Sequence, residues 1–389
     1  MNKRIAVVFE SDIFDRKGMF NAVHGRIRAL AALGGYEIVP FCIQCRDNWL
    51  SRKKKHTPKR PKLKEMRVGD VKYNILNYRF SLLDWLLVEI MRVKPLFFSL
   101  FVRRTAAKLA DFDLISAHSL SGGLVAREAA KADGIPFTIT WHGSDIHTHP
   151  WKSRLIRKTT AALTAAAACN FYVSRVLLET SSPFPGKKKV LRNGIGSSFQ
   201  RLPEEERAAL RKRYGLSDGT KVVAYAGNFY HVKNTLSLPG IWERVRENTK
   251  APLVFWVIGE GKEFEKFKHR ILEKEKLNCV FFGNRPPEEM PALMNCIDVL
   301  VLPSFNEGMP LVTMEALSCG CNVVGSRVGG IPETIGEQYT VTLGKNFEQE
   351  MAALISSFLA TPADQLGGRS FAWNAAARAE DAAYKEILG

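Results

Sequence analysis

Two acids, Glu307 and Glu315, stand eight residues apart in the run LPSFNEGMPLVTMEALSCGCNVV at positions 302–324. What they can do depends on the elements around them. DVLVLPS reads as a strand, FNEG as the turn at its carboxyl end, and PLVTMEALSCG as a helix, with Pro310 suited to the first turn and Gly320 to the end. The backbone N–H groups of Gly308, Met309, Leu311 and Val312 are then unpaired donors at a helix start, which attract a phosphate or a polar hydroxylated group. Two carboxylates beside a diphosphate would repel it. Their economical role is to accept hydrogen bonds from the hydroxyls of a sugar and a ribose, with no proton transfer required. Taken alone, the spacing also fits a helix-start acid followed by a solvated acid.

Other candidates are weaker. His142, in TWHGSDIH (140–147), follows a predicted strand; a lone histidine is usually structural, but a strand-end histidine is well placed to meet a ligand. Gly18 precedes the helical pattern MFNAVHGRIRAL, and no G-x-G-x-x-G fingerprint appears anywhere. DFD (Asp111, Asp113) is a literal D-x-D, but it runs straight into the strand DLISAH and reads as strand-start acids. The seven cysteines, including CIQC (Cys42, Cys45) and CGC (Cys319, Cys321), have no histidine cluster beside them and read as reduced, mostly buried thiols.

The elements that must position these residues alternate: short β-rich runs separated by longer helical patterns from end to end, as stacked βα units with parallel sheets read. RIAVVFE, YEIVPFCI, VKYNILNY, DLISAH, PFTITW, CNFYVS and KKVLRN supply the first half; KVVAYAG, PLVFWVIG, NCVFFG, DVLVLP and CNVVGS supply the second. The rhythm breaks at LRNGIGSSFQRLPEEER, which places a boundary near Ile195. Length supports this, since 389 residues exceed one ordinary core. Two doubly wound α/β domains would leave a cleft between the carboxyl ends of their strands, where ligands of such sheets bind.

Composition is that of a globular protein, 46% hydrophobic and 24% charged, but 56 bases against 39 acids leave a net charge of +17. That favours an anionic partner: a nucleotide, a phospholipid surface or nucleic acid. Residues 46–67 alone hold ten bases and two acids, either a solvated loop or an anion-binding surface. The following stretch, 81–104, is apolar but interrupted by Asp84, Glu89, Arg92 and Lys94, so it predicts no membrane span. It reads as a helix pair broken at Pro95, lying on an anionic membrane face or packed on the sheet. The start, MNKRIAVVFE, enters a strand directly, without the features of a signal peptide, which implies a cytoplasmic protein, peripheral on the membrane if attached.

NEGMPLVTMEA resembles the E-x7-E motif of the retaining GT-B glycosyltransferases grouped as family four, and GMPLVTMEALSCGCNVVGSRVGGIPE follows the surrounding pattern. AYAGNFYHVKN (224–234), VIGEG (257–261), WHGSD and VLRNGIG extend the resemblance over nearly the whole chain. It implies a GT-B fold of two Rossmann-like domains: an acceptor-side domain at 1–195, a nucleotide-sugar domain at 196–370, and a terminal helix at 371–389 packing back on the first. It also implies roles: Glu307 to the donor sugar, Glu315 to the donor ribose, Lys233 to the diphosphate, and His142 to the donor sugar or the reacting centre. Asp145 would orient that histidine or the acceptor, and Gly18 would lie in the loop near the diphosphate or acceptor. Asn228 stands where an arginine is common, so one charge-assisted phosphate contact is replaced by a neutral one of about half the strength.

The function so implied is transfer of a sugar from a nucleotide diphosphate sugar to an acceptor hydroxyl with retention, without cofactor or metal. The acceptor expected is a glycan, with a lipid-linked one in cell-surface polysaccharide assembly suggested by the basic and apolar segments. The rivals are a nucleotide-sugar epimerase of the same architecture and a basic nucleic-acid-binding protein. No recognised nucleic-acid module supports the latter.

Overall fold

The computed structural model describes residues 2–16, 18–55, 58–89, 96–274 and 277–389. The chain forms two compact units, one of residues 1–194 with 373–389 and the other of residues 195–372.

The first unit is built on eight strands: β1 (Lys3–Glu10), β2 (Tyr36–Asp47), β3 (Glu65–Val68), β4 (Val71–Phe80), β5 (Leu114–His118), β6 (Phe137–Trp141), β7 (Cys169–Tyr172) and β8 (Lys188–Val190). Their order in the sheet is β3-β4-β2-β1-β5-β6-β7-β8. All pair in parallel except β3 with β4. Strands β5, β6 and β7 are buried along their whole length, which is why they read as continuous apolar runs. The strand order reverses direction between β1 and β5, the crevice where ligands of such sheets bind.

The basic segment departs from the loop reading. Its start continues β2 to Asp47, Trp49–Lys55 is a helix, and Glu65–Val68 turns back on β4 through Gly69 and Asp70. Gly69 takes a positive φ of 58°, as a two-residue hairpin turn requires. Charged Glu65, Arg67 and Lys72 then guard the sheet edge against pairing with another chain. Helices Leu82–Glu89 and Leu96–Ala106 form the apolar pair. The break expected at Pro95 lies outside the described residues, as do Arg92, Lys94, His56 and Thr57. Among the described residues no helix is long and apolar enough to cross a membrane.

The terminal helix Trp373–Leu388 completes this unit against the helix Met19–Leu33. Gly25 makes room for it: a Cβ there would lie 2.3 Å from the Trp373 indole nitrogen. Arg26 and Glu380, both fully buried, pair at 3.1 Å, and the Tyr384 hydroxyl donates to the other Glu380 oxygen at 2.5 Å.

The second unit carries six parallel strands: β9 (Lys221–Ala226), β10 (Leu253–Ile258), β11 (Cys279–Gly283), β12 (Val299–Leu302), β13 (Asn322–Ser326) and β14 (Thr340–Val341). Their order is β11-β10-β9-β12-β13-β14. Successive residues alternate between two cores: Val223, Tyr225, Phe255 and Val257 on one face, Val222, Ala224, Val254 and Trp256 on the other. Trp242 stacks on Phe255 at 4.9 Å, and burying a side chain of that size contributes about 2–3 kcal/mol. The chain runs outward from β9 to one edge and then returns to β12 on its other side. The loops after β9 and β12 therefore lie side by side, at the second switch point.

Candidate functional site

At that second switch point the loop after β12 holds Glu307. Its Oε1 accepts from Lys233 Nζ at 2.6 Å and from Ser304 Oγ at 2.8 Å, and its side chain is 9% exposed. Lys233 comes from the short 3-10 turn after β9, docked by the Phe305 N–H donating to the Val232 carbonyl at 2.8 Å. The loop before it is stitched to the loop after β10: the Phe229 N–H donates to the Glu260 carbonyl at 3.0 Å, and the Glu263 N–H to the Phe229 carbonyl at 2.9 Å. Gly259 and Gly261 permit this, since a Cβ at either would come within 2.6 Å of residue 227 or 229 backbone atoms. Tyr225 donates to the Asn228 main-chain carbonyl at 2.7 Å, and the Asn228 side-chain amide has no protein partner among the described residues.

The FNEG turn is braced from outside its own stretch. The Gly330 N–H donates to the Gly308 carbonyl at 2.9 Å, and a Cβ on Gly329 would lie 1.7 Å from the Glu307 carbonyl oxygen. The helix that follows is Leu311–Ser318 with Pro310 as its cap residue. The N–H groups of Gly308, Met309, Leu311 and Val312 have no protein acceptor among the described residues. One turn inside, half-buried Glu315 has no hydrogen-bond partner among the described residues, and desolvation pushes its carboxyl up to about 7. One switch point thus carries a neutralised carboxylate–ammonium pair, a row of free N–H donors and a partnerless carboxylate. Such a set suits a ligand that is anionic in one part and rich in hydroxyls in the others.

In the first unit, His142 follows β6 directly and Asp145 lies in the short helix Ser144–His147. The Asp145 carboxylate accepts from the His142 N–H at 3.2 Å and the Gly143 N–H at 2.8 Å, so it fixes the loop backbone that carries the histidine. His142 Nε2 lies 2.9 Å from Nδ1 of His118, the last residue of β5. Burial, with the Arg26 charge behind it, pushes the His142 imidazole down to about 3, and burial holds His118 well below the ordinary histidine range as well. Both rings are therefore neutral, and one proton bridges them. Gly18 caps the helix Met19–Leu33 at φ 35°, its carbonyl accepting from the Ala22 N–H at 3.0 Å.

Sequence reasoning missed His118, although SAH ends its strand as TWH does, and it assigned no role to Gly329 and Gly330. Asp113 accepts from the Arg4 N–H at 2.7 Å and from Lys3, which is the strand-start arrangement. Among the described residues no three His, Cys, Asp or Glu side chains gather as a metal site.

Comparison with known proteins agrees with this layout. The family described as Glycosyl transferases group 1 matches residues 206–380, and the Glycosyl transferase 4-like domain matches residues 18–192. A Bacillus subtilis chain named as the teichuronic acid biosynthesis glycosyltransferase TuaC is 28% identical over 248 residues, 63% of this chain and 61% of that one. The UDP-Gal:alpha-D-GlcNAc-diphosphoundecaprenol alpha-1,3-galactosyltransferase of Escherichia coli is 26% identical over 57% of this chain and 60% of its own. The match thus spans less than two thirds of either relative's length. Among solved structures, a sucrose-phosphate synthase from Thermosynechococcus elongatus superposes with a TM-score of 0.77 at 19% identity, covering 99% of both chains. Anabaena HepE in complex with UDP-glucose gives 0.69 at 16%, covering 98% of this chain and 99% of that one. With two family matches that together take in most of its length, on two parallel-sheet units, the chain belongs to the group 1 glycosyltransferases of the GT-B fold.

Proposed function

We propose that the protein transfers a sugar from a nucleotide diphosphate sugar to a hydroxyl of a lipid-linked glycan, with retention at the anomeric carbon. The observation that carries the donor half is Glu315, a desolvated carboxylate left without a partner beside free helix-start N–H groups and the Lys233–Glu307 pair. Ribose hydroxyls donate to Glu315, and sugar hydroxyls donate to Glu307. The diphosphate lies on the N–H groups of Gly308, Met309, Leu311 and Val312, and on Lys233. Because Lys233 already bonds Glu307, that acid does not repel the phosphates. Asn228 adds a neutral hydrogen bond to them.

Chemistry then follows from position and charge. The bond between the anomeric carbon and the phosphate oxygen breaks, and Lys233 with the helix start stabilises the negative charge left on the diphosphate. That oxygen takes the acceptor hydroxyl's proton on the same face while the hydroxyl oxygen bonds the anomeric carbon. Neutral His142 serves as a hydrogen-bonding group to the sugar, and Asp145 holds its loop. The cell-surface acceptor is supported by the two relatives' names, one for teichuronic acid biosynthesis and one for a diphosphoundecaprenol-linked substrate.

A thermal-shift panel of UDP-, GDP-, ADP- and dTDP-sugars against the wild type and Glu315→Ala tests the donor half, since ligands that bind only the folded state raise its melting temperature. One nucleotide should stabilise the wild type and lose its effect on the variant. Stabilisation by none of the four counts against the donor reading. Conversion of the donor sugar into its epimer without any acceptor would make the protein an epimerase instead.

A further inference from the structure

The first unit carries a concave site whose lining includes none of the residues assigned above to sugar transfer. A groove of about 920 Å³ runs beside β4, covered on one side by the helix Leu96–Ala106 and on another by the segment before β3. Five cations line it: Lys62, Lys64, Arg79, Arg104 and Lys108. None has an acidic partner among the described residues. The one acid of the lining, Glu65, is already paired with Lys72 at 2.5 Å. Five like charges around one concavity repel one another unless an anion shares it. The wall between them is apolar, formed by Phe41, Ile75, Tyr78, Leu100 and Phe101.

The neighbouring helix, Leu82–Glu89, buries an acid and exposes three of its leucines. Asp84, its third residue, is fully buried and closes a capping box: its Oδ2 accepts from the Ser81 N–H at 3.2 Å and the Ser81 hydroxyl at 3.0 Å, and the Asp84 N–H donates to the Ser81 oxygen at 3.0 Å. With the acid fixed inward, Leu82, Leu83 and Leu86 point outward, 48%, 45% and 41% exposed. Leu100, on the groove rim, and Trp49 are exposed to 45% and 58%. Asn48, which precedes Trp49, donates to the Ser81 carbonyl at 3.0 Å, so the tryptophan's helix starts beside the leucines' helix. A water-facing surface disfavours three leucines and a tryptophan grouped with unpaired cations; the boundary between lipid headgroups and acyl chains suits both.

We propose that this groove, with the outer face of the helix Leu82–Glu89, is a docking site for an anionic phospholipid bilayer. The cations take a lipid phosphate, and the leucines and Trp49 enter the acyl boundary. Nucleic acid would satisfy the charges but leave those leucines in water, so the apolar half of the surface favours lipid. The inference rests on the first unit alone, and nucleotide-sugar binding by the second unit remains separately measurable.

The test is sedimentation of the full-length protein with phosphatidylcholine vesicles, with and without about one third phosphatidylglycerol. Binding is expected only with phosphatidylglycerol, and inorganic phosphate should weaken it no more than chloride of the same ionic strength, because the free ion lacks the acyl boundary. Raising salt to about 1 M, where charges are screened beyond roughly 3 Å, should weaken it strongly. The double variant Arg79→Gln, Arg104→Gln should bind roughly 25-fold more weakly, about fivefold for each cation removed. Leu82→Ser with Leu86→Ser should weaken binding too while leaving the cations in place. All four positions are exposed, so unchanged melting temperatures and nucleotide-induced shifts serve as the folding control. Absence of vesicle binding by the wild type overturns the proposal, as does capture of a short RNA without capture of vesicles. Equal lipid affinity in either double variant overturns it as well.

Discussion

Glu315 shows how much one side chain's surroundings decide. Its carboxyl, at about 7 in the folded chain, stands above its ordinary value of 4.5 because burial removes water and no donor replaces it. Below that ordinary value the group is neutral whether folded or unfolded, so it carries no penalty. As pH rises from there to about 7 the unfolded chain ionises this group while the folded chain keeps it protonated, so stability falls across that window, by about 2 kcal/mol once partial exposure is allowed for, and is level above it. Glu315→Gln should therefore match the wild type's melting temperature in acid and exceed it in mild alkali. Ligand hydroxyls that donate to the carboxylate favour its ionised form. Nucleotide-sugar affinity should thus be full above pH 7 and fall about tenfold per unit as pH drops below it, a slope lost in the Gln variant. Calorimetric titration across that range measures this directly, and a flat wild-type profile would detach Glu315 from the ligand.

At the scale of elements, the strand, turn and helix around Glu307 were readable because every signal was local: four apolar residues, a polar turn, a proline at the start and a glycine at the end. The bracing of that turn by Gly329 and Gly330 was not, since it depends on a tertiary approach about twenty residues further along. The edge hairpin at β3 was hidden for a related reason. Its Val-Gly-Asp-Val turn sits inside a run whose charge suggests a loop, and pairing with β4 overrides that local reading. Gly329 holds φ 53°, so Gly329→Ala meets both backbone strain and the Glu307 carbonyl. The variant should lose about 2 kcal/mol or more in urea unfolding and should lose nucleotide affinity beyond what partial unfolding explains. Gly344→Ala is the matched control, because nothing lies within 4 Å of a Cβ there and its φ needs no glycine. Equal behaviour of the two variants would mean that the Glu307 turn does not rely on its neighbour.

Over the whole molecule, the chain returns at its end to the unit in which it began, and the hydrophobic and charged pieces of that return are far apart in sequence. Arg26 and Glu380 are 354 residues apart, so no local pattern around either predicts the partner; only the family resemblance suggested where the last helix goes. The pairing is nevertheless demanding. Arg26 is a permanent charge at 1% exposure, and its other hydrogen bonds go to the Leu191 carbonyl and the Asn193 side chain. Removing the carboxylate leaves that charge buried without a counter-ion, a loss of about 3–5 kcal/mol. Glu380→Gln keeps an acceptor for Tyr384 and changes little in volume, so its effect isolates charge from packing. It should lower the stability of the first unit by that amount, while the second unit, whose strands all lie within residues 195–372, keeps its hydrogen-exchange protection and its nucleotide-induced shift. Truncation after Ala372 goes further, stripping Ala377, Ala383 and Tyr384 from the first core as well as the ion pair. Calorimetry of the truncated chain should show one cooperative transition, that of the second unit. A first unit that still melts cooperatively without residues 373–389 would reduce the returning helix to an accessory.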